Sequence, residues 1–291
     1  MKTGYSIKIF LPEGDPEGLR IIEKSNWNGR GLVCPRSKFS VAKLRNELDS
    51  TGVYVLIGPD TDSGLDRIYV GEGDPARQRL DSHHASKDFW QSFVLFTSKD
   101  QSLNKAHIQY LESRLIAIAK DANRCVLDNG NLPTQPSMSE SDRAEAEGFL
   151  QEMLLCFPIL GISFFKKPAV SEQHGIKLYL KSKNEIIAEG YESSEGFVVL
   201  AKSRANLQDQ PSIHQYLHDI RTSLILRELF EKKNGFYVLT QPYVFNSPST
   251  AAGVMLGRSA NGRTEWKDSK GVTLKEIQEK QSGAGAKGQH A

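Results

Sequence analysis

Between Thr51 and Lys120 the chain gathers residue types that suit hydrolysis of a phosphodiester: Tyr54, Tyr69, Arg79, His83 and Glu112. An arginine presents a fixed fork of donors to a highly anionic transition state. A tyrosine or histidine beside the attacking water can help remove its proton. One carboxylate can anchor a single Mg²⁺ or Mn²⁺ whose remaining positions go to water and phosphate oxygens. Such an ion polarises the phosphate and stabilises the leaving oxygen.

The elements needed to position these groups can be read locally. Val53 to Ile57 is β-branched and aromatic and stops at Gly58-Pro59, and Arg67 to Val70 reads as a second strand that makes a hairpin with it. Tyr54 and Tyr69 then lie on adjacent strands, where their rings can share a face. Asp74 as N-cap and Pro75 at the first helical position predict a helix running to about His84. Arg79 and His83, four residues apart, share one side of it. Phe93 to Thr97 predicts a third strand. Asn104 to Lys120 predicts a helix with Ile108, Leu111, Leu115 and Ile118 on one stripe. Glu112 falls within that stripe on a helical wheel, about 40° from Ile108. A carboxylate there is costly unless paired or metal-bound. Ser139 to Cys156 predicts a further helix with a capping start at Ser139 and Asp142.

GVY at Gly52–Tyr54, YVG at Tyr69–Gly71, Arg79, His83 and Glu112 in LESRLI, taken together, resemble the GIY-YIG nuclease module over roughly residues 50 to 135. The resemblance implies a small three-stranded antiparallel sheet flanked by helices, within an α+β chain. It implies catalytic roles for Tyr54, Tyr69, Arg79, His83 and Glu112, with Glu112 holding one Mg²⁺ or Mn²⁺. Gln78 stands beside the arginine, where the family often has lysine or another polar residue. The asparagine that closes the family's site has three candidates, Asn123, Asn129 and Asn131, and Asn131 is carried forward as a nucleic-acid contact.

The rest of the chain frames this module. Residues 1–48 read as an N-terminal extension, with a strand at Ser6 to Leu11, a short helix from Asp15-Pro16 through Ile22 and a helix at Val41 to Leu48. The nuclease-like domain spans 49–165. A second α+β domain spans 170–278, with strands at Ile176 to Leu180, Ile186 to Tyr191 and Phe197 to Leu200. A helix at Ile213 to Lys232 follows, then a strand-like run from Tyr237 to Phe245 that Pro242 interrupts. Ser249 to Leu256 reads as a short helix or strand. Residues 279–291 read as a disordered tail, poor in large apolar residues. Phe245 to Asp268 resembles a domain of uncharacterised function often attached to GIY-YIG modules. Within it Ser247, Ser249, Arg258, Asn261, Arg263 and Trp266 are candidate contacts to phosphate or base.

Composition bounds the alternatives. The 291 residues carry a net charge of +2, which by itself does not mark a nucleic-acid binder. Basic residues nevertheless outnumber acidic ones between Arg77 and Arg124 and between Lys232 and Ala291. The three cysteines, Cys34, Cys125 and Cys156, are scattered and form no CxxC pair, so neither a zinc site nor a disulfide framework is expected. No run approaches the ~20 apolar residues of a membrane span, and no secretory leader is evident. The expectation is a cytoplasmic, DNA-directed endonuclease, with a protein partner as a secondary expectation and no membrane contact. The competing expectation is a nucleic-acid-binding or regulatory protein that keeps the fold without turnover.

Overall fold

The computed structural model describes residues 4–61, 65–166, 176–183 and 185–285. It is mixed α and β, and it divides into two compact units, Met1–Lys167 and Pro168–Ala291.

The first unit is built in the order β1 (Ile7–Phe10), β2 (Arg20–Lys24), β3 (Gly29–Pro35), α1 (Phe39–Ala42), β4 (Gly52–Pro59), β5 (Asp66–Gly73), α2 (Ala76–Ser86), β6 (Ser92–Ser98), α3 (Lys105–Ala122), β7 (Val126–Leu127) and α4 (Glu140–Cys156). Its strands form one sheet in the order β1-β2-β3-β6-β4-β5-β7. Every pairing is antiparallel except β5 with β7. The expected three strands β6, β4 and β5 are therefore neighbours inside a larger sheet, because the first three strands extend it through β3 and β6. The helix expected through Ile22 is instead β2: Ile21 and Ile22 pair with Leu32 and Gly31, and that non-local pairing overrides the local helix-start signal. The helix expected over Val41 to Leu48 is split into α1 and a 3₁₀ turn at Asn46–Asp49.

Alternate residues of the central strands feed two cores, as the period of two requires. Val53, Val55, Ile68 and Val70 pack with Ile108, Leu111 and Leu115 of α3. Tyr54 and Leu56 face the other way, with Ala76 and Leu80 of α2 and with Trp90 and Phe93. Asn104 caps α3, its side chain accepting from the His107 N–H while His107 Nδ1 accepts from the Asn104 N–H. His107 is thus a capping residue. The helix carrying Arg79 starts one residue later than expected. Pro75 is extended, and Asp74 accepts from the Thr51 hydroxyl at 2.7 Å instead of capping.

The second unit contains β8 (Leu178–Ser182), β9 (Glu185–Ser193), β10 (Gly196–Val199), β11 (Arg204–Asn206), α5 (Gln215–Leu226), β12 (Phe230–Lys233), β13 (Phe236–Leu239), β14 (Tyr243–Phe245), α6 (Pro248–Leu256), α7 (Gly262–Glu265) and α8 (Leu274–Gly285). Among the described residues β14-β10-β9-β8 form one sheet and β11-β13-β12 another. The helix expected to Lys232 ends at Leu226, since Glu228 adopts a positive φ of 56° and the chain turns back as β12. Residues 279–285 of the expected disordered tail continue α8, and 286–291 lie outside the described residues. The three cysteines form no disulfide and are buried. Among the described residues no helix is long and apolar enough to cross a membrane.

Candidate active site

The β4–β5 hairpin sets the first pair of groups. Tyr54 stands opposite Gly71, and Tyr69 opposite Leu56. Both tyrosines project toward α2, with ring centroids 6.5 Å apart. Gly71 is required here: a Cβ at this position would lie 2.5 Å from the Tyr54 hydroxyl oxygen. From α2, His83 brings its ring to 4.7 Å from Tyr69 and 5.9 Å from Tyr54. Arg79, one turn earlier on the same helix, is exposed, and its charge acts on both phenols.

Glu112 arrives from the opposite side of the sheet on α3. It is half-buried and lies within electrostatic range of Arg79, Glu72 and Lys105. The five predicted residues therefore converge at the margin of the sheet from four elements. The hairpin strands and α2 supply one side and α3 the other.

Burial dominates the electrostatics. Tyr54 is 0 % exposed, and its phenol is pushed far above the usual tyrosine range, first by burial and then by Tyr69, with Arg79 opposing. Its hydroxyl has Arg79 beside it but makes no hydrogen bond of full geometry. Tyr69 is raised in the same sense, also first by burial. His83 is pushed down to about 4 by burial and by the Arg79 and Lys87 charges, so it is neutral at physiological pH. Both of its ring nitrogens are buried without a partner. Glu112 is raised to about 7, by burial and then by the Glu72 carboxylate, and it accepts no hydrogen bond and joins no ion pair among the described residues. Desolvation and a like charge both disfavour its ionised form, as expected of a carboxyl whose counter-charge is a ligand. Among the described residues no cluster of three or more His, Cys, Asp or Glu is arranged around a metal. Mg²⁺ does not require one, since it is commonly held by one or two carboxylates, waters and substrate phosphates. The unpartnered Glu112 fits that pattern.

The site also contains residues that motif reading passed over. Glu72 directly follows YVG and receives Lys105 Nζ on both carboxylate oxygens at 2.7 Å. Lys87 lies 4.5 Å from the Tyr69 ring centroid and pairs with Asp128. Of the three candidate asparagines it is Asn129 that reaches the hairpin. Its Oδ1 accepts from the Val70 N–H at 3.0 Å and its Nδ2 donates to the Val70 carbonyl at 2.8 Å. Asn131 is exposed, and Asn123 ends α3 in the left-handed region. Position in the sequence gave no means of choosing among them.

The candidates in the second unit are differently placed. Trp266 is 0 % exposed, packs 4.6 Å from the Phe197 ring and donates Nε1–H to the Pro248 carbonyl, so it is a core residue with no face for a base. Ser247 caps α6, and Ser249 accepts from the Gly262 N–H. Asn261 caps α7 and Arg263 donates to Gln278 at 2.8 Å. Arg258 pairs with Glu265 at 2.7 Å and lines a cleft of about 490 Å³ with Lys181, Lys183, Asn206 and Gln210.

Residues 178–278 match a family model described as a domain of unknown function, DUF4357. The match lies within the second unit. Neither the curated proteins nor the solved structures give a match to the chain.

Proposed function

We propose that the first unit is a metal-dependent endonuclease of GIY-YIG type that hydrolyses DNA phosphodiester bonds, with the DUF4357-like unit as its DNA-binding appendage. The observation that carries this reading is the meeting of Tyr54, Tyr69, His83, Arg79 and Glu112 at one margin, with the Tyr54 hydroxyl and both His83 nitrogens buried without a hydrogen bond of full geometry and the half-buried Glu112 carboxylate outside any hydrogen bond or ion pair among the described residues. Buried polar groups are normally satisfied, so a set left open together points to a polar ligand. The β6-β4-β5 arrangement and the DUF4357 match are compatible with the reading.

The residues divide the work by their protonation. Tyr54, whose phenol ionises only with difficulty, is a donor to a phosphate or water oxygen. Neutral His83 has a free ring nitrogen to accept the proton of the attacking water, with Tyr69 against its ring to orient it. Exposed Arg79 meets the phosphate with its guanidinium fork. A Mg²⁺ or Mn²⁺ ion held by Glu112 supplies charge stabilisation at the phosphate and leaving oxygen when bound. In the second unit, Lys181, Lys183 and Arg258 line a cleft without an acidic lining residue, which suits a DNA backbone.

The test is incubation of the whole chain with supercoiled, single-stranded and branched DNA in Mg²⁺, in Mn²⁺ and in EDTA. Cleavage should need the metal and fall by roughly 100-fold or more in Arg79→Ala and Glu112→Ala. Wild-type rates in both variants would overturn the assigned roles. Salt-dependent DNA binding without product, at any metal concentration, would replace the nuclease by a binding module.

A further inference from the structure

Lys105 and Glu112 are seven residues apart on α3, within about 20° of two whole turns, so they lie along one line of the helix. On β5, Ile68 and Val70 point to the core beneath α3, and Glu72 continues that alternation at the strand's end. Glu72 therefore projects to the side of the sheet from which Glu112 comes. Lys105 Nζ sits 2.7 Å from each Glu72 oxygen, while Glu112 has no hydrogen-bonded or ion-paired partner among the described residues. Two carboxylates share one neighbourhood with a single ammonium bound to one of them. The Tyr54 hydroxyl, more than nine-tenths buried and without a hydrogen bond of full geometry, lies within electrostatic range of Glu112. It offers a polar contact to an oxygen atom carried by water or phosphate.

An ammonium is a compact, strongly hydrated point charge. Seated evenly on both oxygens of a carboxylate, it takes a place that a hard, oxygen-preferring cation can also take. We propose that Glu72 and Glu112 together are the carboxylate pair of a divalent-cation site, and that Lys105 is an internal cation that holds Glu72 until the divalent ion displaces it. The assignment rests on the nuclease reading of the same margin and adds to it a second ligand and a built-in competitor. Displacement leaves the Lys105 ammonium free within electrostatic range of Glu112 as the metal arrives, so metal loading and phosphate attraction are coupled.

The experiment is Mn²⁺ binding to the full chain without DNA, read by the electron paramagnetic resonance signal of free Mn²⁺. Wild type, Glu72→Gln, Lys105→Met and Glu112→Gln are compared, with circular dichroism as the folding control. Glu72→Gln should weaken binding by about tenfold or more, the order of loss for groups that hold or orient metal ligands. Lys105→Met should tighten it several-fold, since it removes the competitor and leaves both carboxylates. Tightening by Lys105→Met is the sign that a merely structural ion pair would not give, and it stands even if Glu72→Gln folds poorly. If Glu72→Gln binds Mn²⁺ like wild type while Glu112→Gln does not, the pair is overturned and the single-carboxylate nuclease stands. Weakened binding in Lys105→Met would overturn its role as competitor. If folded wild type binds no Mn²⁺ at all, the pair and the metal-dependent reading fall together.

Discussion

Arg221 in the second unit and Tyr54 in the first are both buried polar side chains, and their surroundings are opposite. Arg221 is 2 % exposed, and its guanidinium donates to the carbonyls of Val254 and Asn206 while pairing with Asp209 at 2.6 Å. Trp266 in the same unit likewise delivers its N–H to a carbonyl. Around Tyr54 the pattern reverses, since its hydroxyl and both nitrogens of His83 are buried without a hydrogen bond of full geometry. A fully satisfied network rigidifies the fold around it. An unsatisfied buried group costs about 1–3 kcal/mol, and such costs are kept where a ligand will meet the group. The two units thus separate polar residues that hold a fold from polar residues left open, which the proposed nuclease reading assigns to chemistry.

The contrast can be broken by mutation, beginning where the effect is largest. Arg221→Met leaves Asp209 with His218 alone and takes the donor from the carbonyls of Val254, Asn206 and Leu207. It should destabilise the second unit by about 3–5 kcal/mol in urea unfolding, and a change under 1 kcal/mol would mean that the network is not structural. Asn129→Ala removes both side-chain bonds to Val70. It should cost about 1–3 kcal/mol and speed hydrogen exchange at the Val70 amide. Tyr54→Phe tests the other side, because the deleted hydroxyl makes no hydrogen bond of full geometry. Stability should hold or rise by up to about 1 kcal/mol, while cleavage drops by roughly 100-fold. A clear loss of stability instead would show that the hydroxyl is structurally satisfied.

The smallest effect is a pH dependence. Glu112 is raised from 4.5 to about 7 in the folded chain, so the folded state holds this proton more tightly than the unfolded state does. Its neutral form is fully accommodated below about pH 4.5, and stability then declines as pH climbs toward about 7 and levels off above it. In EDTA, Glu112→Gln should therefore melt on the order of 2–4 °C above wild type at pH 8, with no difference near pH 4. A lower melting temperature for the variant at pH 8 would reverse the sign and show that the carboxylate has a stabilising partner.

How much of this was legible in the sequence follows from how local each feature is. The β4–β5 hairpin, with Tyr54 and Tyr69 on one face, comes from a short β-branched run, a Gly-Pro stop and a period of two. The apolar stripe of α3 likewise shows Glu112 as a carboxylate in the wrong place for packing alone. Features set by distant partners were not legible. The strand at Arg20–Lys24 exists because β3 pairs with it, whereas the local Asp-Pro-Glu-Gly looks like a helix start. The segment Phe230–Lys233 is composed like a helix and becomes a strand against β13. Trp266 sits among polar neighbours in sequence, and only the packing with Phe197 reveals it as core. Glu72 could have been suspected from its place directly after the YVG motif, but Lys105, which marks it, is joined to it by folding alone.

The clasp of Asn129 on Val70 has a consequence for how the protein behaves among other copies of itself. The strand β7 covers β5 only at Arg67 and Ile68, and beyond them the hairpin would present a bare edge. Bare edges are templates onto which another chain can add a strand. A primary amide can present one of its N–H groups and its C=O side by side, much as a neighbouring strand presents its backbone groups, so Asn129 acts as a single-residue imitation of a neighbouring strand. That edge is closed to β-augmentation, and loss of the amide should be felt in solubility as well as in stability.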